Sequence, residues 1–296
     1  MTSIEKRGAK SPLSALALYA AIVSLLTPSA ATAHAVAGDR IFPSTMAVDD
    51  PGVGDEANLE YGHVRVPGDN GDQSINTFSF EYDKLVTSRL AVSVDGVYVM
   101  QNNPTARGWD NFGVGVKYLL YVSERHEFMT SVGVHAELGG TGSKAIASSF
   151  STISPTIYMG KGLGDLPDSL AYLRPIAVTA EAAPALTTGA GQPNAFNYGF
   201  TLQYSLPYLQ QHVRDIGLRG PFANLVPIVE VPLSRSQGQT TGTIDPGVIW
   251  INRYGQFGVE AQIPINSASG SRVGILVQAH IFFDDLLPTS LGKPLF

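Results

Sequence analysis

The stretch that decides the fold is QFGVEAQIPINSASGSRVGILVQAHIFF, residues 256–283. Phe257, Val259, Ala261 and Ile263 share one parity, and Gly258, Glu260 and Gln262 the other. After Asn266-Ser267-Ala268-Ser269-Gly270, the residues Val273, Ile275, Val277, Ala279 and Ile281 alternate with Gly274, Leu276, Gln278, His280 and Phe282. Period-two alternation over two long runs joined by small polar residues predicts an antiparallel hairpin. One face is nearly all aliphatic. The other is mostly small, amide or ionisable.

Working outward, the same alternation recurs along the chain. It predicts strands over 56–66, 74–83, 88–101, 110–122, 127–138, 151–161, 170–183, 195–206, 222–234, 243–252, 255–265 and 271–283. Phe78, Phe80 and Tyr82 oppose Ser79 and Glu81, and Val114, Val116 and Tyr118 oppose Gly115 and Lys117. The runs 170–183 and 222–234 are weaker, since Pro175, Pro227 and Pro232 suit a central ladder poorly. Links 67–73, 102–109, 139–150, 184–194, 235–242 and 266–270 are polar and longer, whereas 84–87, 123–126 and 253–254 are tight. Two links, 162–169 and 207–221, break that alternation.

Composition narrows what solvates the aliphatic face. Charged residues are 15% of the 296-residue chain, against about 25% in an ordinary soluble domain. Hydrophobic residues are 44%, and there are 31 glycines. Strands of about ten or more residues exceed the soluble norm of about 5–6 and match a tilted membrane crossing. No later run approaches a membrane helix in length. Residues 1–35 read as a secretory signal: Lys6, Arg7 and Lys10, then the apolar Leu13–Leu26, then small residues around Ala31, Ala33 and Ala35. Its removal takes away three positive charges and one negative one, which moves the net charge from −6 to about −8.

These features predict an all-β fold: a transmembrane, antiparallel, up-and-down β-barrel of about twelve strands over 56–283. Residues 36–55 form an extended periplasmic arm or a plug, and 284–296 a C-terminal tail. Hairpin 256–283 closes the ring against the strand starting at Glu56, with Val259, Ile263, Val273 and Val277 toward lipid. Tyr98, Tyr121, Tyr158, Tyr204, Tyr208, Trp250 and Tyr254 fall near strand ends, where interfacial girdles belong. The opposite parity gives the lumen-lining candidates: Glu81, Asp95, Lys117, His135, Glu137, Glu230, Asp245, Glu260, Gln262, Gln278 and His280, with Arg174 as a further one. Buried charges must be paired or watered. They therefore line a polar passage for small solutes or brace a filled interior.

The signal, the alternating strands and Gly-Val-Gly-Val-Lys-Tyr at 113–118 resemble the outer-membrane proteins grouped as the phenol-degradation (meta-pathway) family. The resemblance implies movement of small, often aromatic or hydrophobic, compounds. Such barrels often end in an aromatic residue read by the barrel-assembly machinery; Phe296 is aromatic, but Leu291–Leu295 is not a strand. The expected partners are outer-membrane lipid, a small solute and that machinery.

Other classes find less support. There is no cysteine, hence no thiolate chemistry and no disulfide framework. No basic cluster suits nucleic acid. No Gly-x-Ser-x-Gly elbow or His-Glu-x-x-His site occurs, and no cofactor is expected. Asp69-Asn70-Gly71-Asp72 reads as a turn and lacks the EF-hand pattern. A secreted soluble β-sandwich and a structural barrel without transport remain as alternatives.

Overall fold

The computed structural model describes residues 35–68 and 71–296. The predicted export signal lies outside them, apart from Ala35. A short hairpin of β1 (Ala35–Ala37) and β2 (Arg40–Phe42) comes first and pairs only with itself. The chain then runs through β3 (Glu56–Val66), β4 (Gln73–Thr87), β5 (Leu90–Gln101), β6 (Ala106–Trp109), β7 (Gly113–Ser123), β8 (Phe128–Glu137), β9 (Thr152–Gly162) and β10 (Ile176–Thr187). It continues with β11 (Ala195–Tyr204), β12 (Leu225–Ser236), β13 (Gln239–Asn252), β14 (Gly255–Pro264) and β15 (Arg272–Phe282).

Each long strand pairs antiparallel with its sequence neighbour, and β15 pairs with β3, from Phe282↔Glu56 to Arg272↔Arg65. The sheet is thus closed, a 12-stranded barrel in which β6 extends the β5–β7 hairpin. Closure leaves no sheet edge to solvate, which is the condition for strands in lipid. The 11-residue β3 is about 36 Å long and, tilted about 40°, rises about 28 Å.

The alternation separates two environments. Phe257, Val273, Phe78 and Phe200 point outward, 52%, 60%, 49% and 47% exposed, while Glu230, Gln278 and Thr201 point inward at 0%. An outer surface of Leu, Val, Ile and Phe with buried polar groups behind it inverts the usual soluble arrangement. It removes the sandwich alternative on physical grounds, since that alternative buries the aliphatic face.

Some local expectations fail. β10 starts at Ile176, because Asp168–Leu173 forms a 3-10 helix rather than strand. β12 is a full barrel strand despite its prolines. β13 starts at Gln239, so the predicted link 235–242 shrinks to a tight turn in which Gln237 and Gly238 both take positive φ. The expected pattern of short and long links does not hold throughout. On the rim where the barrel starts and ends, the proximal rim, links 163–175 and 205–224 are long and carry helical turns. The tail after Phe282 makes one helical turn, Phe283–Leu286, and returns to the β4–β5 turn, where Leu295 and Phe296 donate to Leu85 and Val86 carbonyls.

Candidate functional site

The lumen is built by two sets of residues: the inward parity of the wall and the segment 35–55. That segment touches wall residues on every side. Asp49 pairs with Lys117 of β7 (2.8 Å). Ser131 of β8 donates to the Pro51 carbonyl. Glu230 of β12 accepts from the backbone N–H groups of Met46, Ala47 and Val48 at 2.7, 2.9 and 2.7 Å. Gln278 of β15 donates to the Thr45 carbonyl, and Gln256 of β14 to that of Ser44. Asp55 accepts from Lys84 of β4 (2.6 Å). A segment that meets opposite arcs of a closed wall lies inside it. Residues 35–55 are a plug.

Local sequence explains the seating. Inward glycines leave the room: a Cβ on Gly199 would stand 2.7 Å from Val48, one on Gly258 2.7 Å from Met46, and one on Gly160 2.9 Å from Pro51. The wall is not polar throughout. At the proximal end Val226, Ile228, Ile249, Ile251, Leu276 and Phe282 pack around Met46. A second apolar cluster joins Ala35, Ala37 and Phe42 to Met129 and Ala177. Each large plug side chain buried this way contributes about 1.5–3 kcal/mol.

The long proximal links hold the plug's hairpin. Arg40, fully buried, donates to Glu127 (3.0 Å), to the Pro175 carbonyl (3.0 Å) and to the Arg174 carbonyl, and stacks on Tyr208. The Tyr208 hydroxyl donates to Glu127 (2.7 Å), as does the Gly164 N–H (3.0 Å). Burial beside the Glu127 carboxylate pushes the Tyr208 phenol up to about 12, so it remains a donor. Links 163–175 and 205–224 are therefore long because they reach the plug. No signal in the sequence connected them to Arg40.

The predicted lumen residues fall as follows. Asp95 and His135 contact each other (2.7 Å), and Glu81 lies beside them at a cavity wall. Lys117 sits 4.4 Å above the Tyr158 ring. Glu137 accepts from Asn111 near the distal rim. Glu230 and Asp245 stand directly across β12–β13, and Glu260 lies beside Glu230. Gln278 accepts from Gln256 (2.7 Å), Gln262 approaches Asp245, and His280 meets Glu56 (2.9 Å). Arg174 is a correction: it follows the 3-10 turn and pairs with Asp168, off the lumen. Tyr158 and Tyr208, expected in a girdle, are buried, one in the lumen and one on the link. The plug acids Asp49 and Asp50, and the wall residues Glu60, Asp83 and Glu181, were missed. Glu60 and Asp83 lie on the same inward parity as Glu56 and Glu81, which is the signal that would have found them.

Space remains beside the plug. A cavity of about 150 Å³ near the proximal end shares Asp49, Glu81 and His135 with one of about 370 Å³ at mid-height. That one shares Ala47 and Glu181 with a third, about 340 Å³, that reaches Ser234 and Thr241 near the distal rim. The three cavities adjoin one another beside the plug through these shared lining residues, and the first two are rich in acids.

No protein-family model and no curated protein matches the chain. Among solved structures, an outer membrane channel from Pseudomonas putida F1 superposes with a TM-score of 0.51 at 11% identity, covering 82% of this chain and all of that one (100%). A KdgM porin in complex with disordered oligogalacturonate gives 0.49 at 10% identity, over 76% and 99% of the two chains. A NanC porin gives 0.49 at 8%, over 76% and 98%. The fold is that of an outer-membrane β-barrel channel.

Proposed function

We propose that the protein is an outer-membrane channel for small solutes, narrowed by its own N-terminal segment. The observation that carries this is the row of adjoining cavities beside the plug. A purely structural barrel has no need for linked cavities lined by ionisable groups, and charges at this depth are costly unless watered. Glu60, Glu81, Asp95, Glu181 and Asp49 on the central cavity outweigh His135, so the path favours cations over anions. On this reading the distal rim faces outward, and the inward-parity residues that line the lumen set selectivity. Lipid and the barrel-assembly machinery are the partners of insertion. Aromatic and hydrophobic compounds are the solute class that the family resemblance suggests.

Single-channel recording of the purified protein in planar bilayers tests the reading. The expected result is small, steady conductance steps with potassium preferred over chloride. A heat-shifting, folded barrel that conducts nothing would leave the structural-barrel alternative standing.

A further inference from the structure

Two inward carboxyls of the wall meet beside the plug. Glu230 of β12 and Glu260 of β14 are 0% and 1% exposed. Between them runs β13, with Gly247 opposite Glu260 in the register. A Cβ on Gly247 would stand 2.4 Å from Glu260 Cγ, so the Glu260 stem crosses β13 over this glycine. The crossing brings its carboxyl within hydrogen-bonding range of Glu230.

The two carboxyls differ in what they receive. Glu230 takes the N–H groups of Met46, Ala47 and Val48, which fills both its oxygens as acceptors. Glu260 takes none: neither of its oxygens is exposed, and no donor of the protein reaches either. A carboxylate so dry and unmet is costly. The polar group it does meet is another carboxyl, and two carboxyls at that range share one proton. With Glu230 filled as an acceptor, the proton sits on Glu260, which donates to Glu230.

The surroundings supply no direct counter-charge. Asp245 of β13 and Glu60 of β3 face Glu260, and Glu181 of β10 faces Glu230. The plug presents the uncharged Met46, Ala47 and Val48, with Asp49 beyond them. His280 of β15 acts on Glu60 but is taken by Glu56, and Lys117 of β7 acts on Glu181 but is taken by Asp49. Among the described residues no Lys, Arg or His forms an ion pair with Glu60, Glu181, Glu230, Asp245 or Glu260.

We propose that this proton latches the plug: Glu260 carries it, Glu230 accepts it together with the three plug N–H groups, and its loss as pH rises releases residues 46–48 from the wall. With the proton gone, two carboxylates face each other in a site without a cation. Their repulsion is relieved when Glu230 turns away, and the turn gives up the three N–H groups. The seated plug thus binds a proton that the released plug has lost. Seating is complete at low pH and falls as pH rises, by up to about tenfold for each pH unit. The latch goes beyond the channel reading, since it concerns how the plug is held whether or not the lumen conducts.

Hydrogen exchange at the amides of 46–48, followed by mass spectrometry on the purified protein, reads the latch. Rates at about pH 6 and about pH 9 are each divided by those of Glu260→Gln at the same pH, which cancels the base dependence of exchange itself. The variant's amide donates to Glu230 at both pH values. The expected result is exchange at least about tenfold faster, relative to the variant, at the higher pH. An equal ratio at the two pH values overturns the latch. Should Glu260→Gln fail to assemble, Gly247→Ala takes its place: its methyl displaces the Glu260 stem, and fast exchange already at the lower pH is expected. Exchange there as slow as in the parent overturns the latch. Single-channel conductance measured alongside separates the two readings: the expected exchange in a barrel that conducts nothing supports the latch and counts against the channel.

Discussion

Glu230 shows how one inward carboxylate organises the lumen. Its two oxygens take three consecutive backbone N–H groups of the plug. Glu230→Ala leaves those donors buried and unmet, at a cost of about 3 kcal/mol. The expected outcome is larger and noisier conductance with the barrel still heat-shifting on gels; an unchanged conductance counts against the plug as the constriction. Asp284 carries a pH dependence at the proximal rim, outside the strands. Burial pushes its carboxyl up to about 8, with the neighbouring Asp55 adding to the rise. A raised carboxyl pKa means the folded state holds the proton more tightly. That stability is complete below the ordinary carboxylate range and is lost as pH rises through about 8. Mobility of a spin label on a Ser290→Cys variant in the tail is therefore expected to rise between about pH 7 and pH 9, and Asp284→Asn to abolish the rise. At this scale the sequence was informative about parity alone. Period two identified which side Glu230 and Glu260 face. The partner of Glu230 is the backbone of residues 46–48, and backbone donors leave no trace in side-chain pattern.

Elements were more legible than their contacts. Eleven or so alternating residues between turn signals mark a strand whatever it packs on, and most predicted bounds fall within a few residues of those observed. Errors came where one residue type carries two meanings. Leu170 and Tyr172 have the spacing of a strand but follow Pro167, and they lie in a 3-10 turn. Gln237-Gly238 reads as part of a polar loop but takes the positive φ angles of a two-residue hairpin. Proline misled in another way. Pro227 and Pro232 suggested a weak strand, yet a closed barrel tolerates them because neighbouring rows hold the strand in place. At β9–β10 the register puts Pro184 opposite Pro155, which the sequence alone does not reveal. Pro184→Val restores one N–H opposite the Pro155 carbonyl. It is expected to stabilise the barrel by about 1 kcal/mol, seen as a higher temperature for loss of the compact gel band. An unchanged temperature would mean that the neighbouring rows already hold the two strands.

At the scale of the molecule, the wall and its contents have different kinds of attachment. The wall is a closed ladder of backbone bonds from β3 round to β15. The hairpin β1–β2 forms its own two-stranded sheet and adds no rung to that ladder. Apart from one backbone bond at its last residue, from the Phe283 N–H to the Asp55 carbonyl, residues 35–55 are held by side-chain bonds, ion pairs and apolar contacts, and the chain passes into the wall at Glu56. Withdrawal of the segment toward the proximal rim breaks no bond between strands. Two unfolding events are thus separable in principle, a first that empties the barrel and a second that dismantles it. A tension applied to the N-terminal end would meet the first before the second. Drawn from that side, the protein would open long before it came apart.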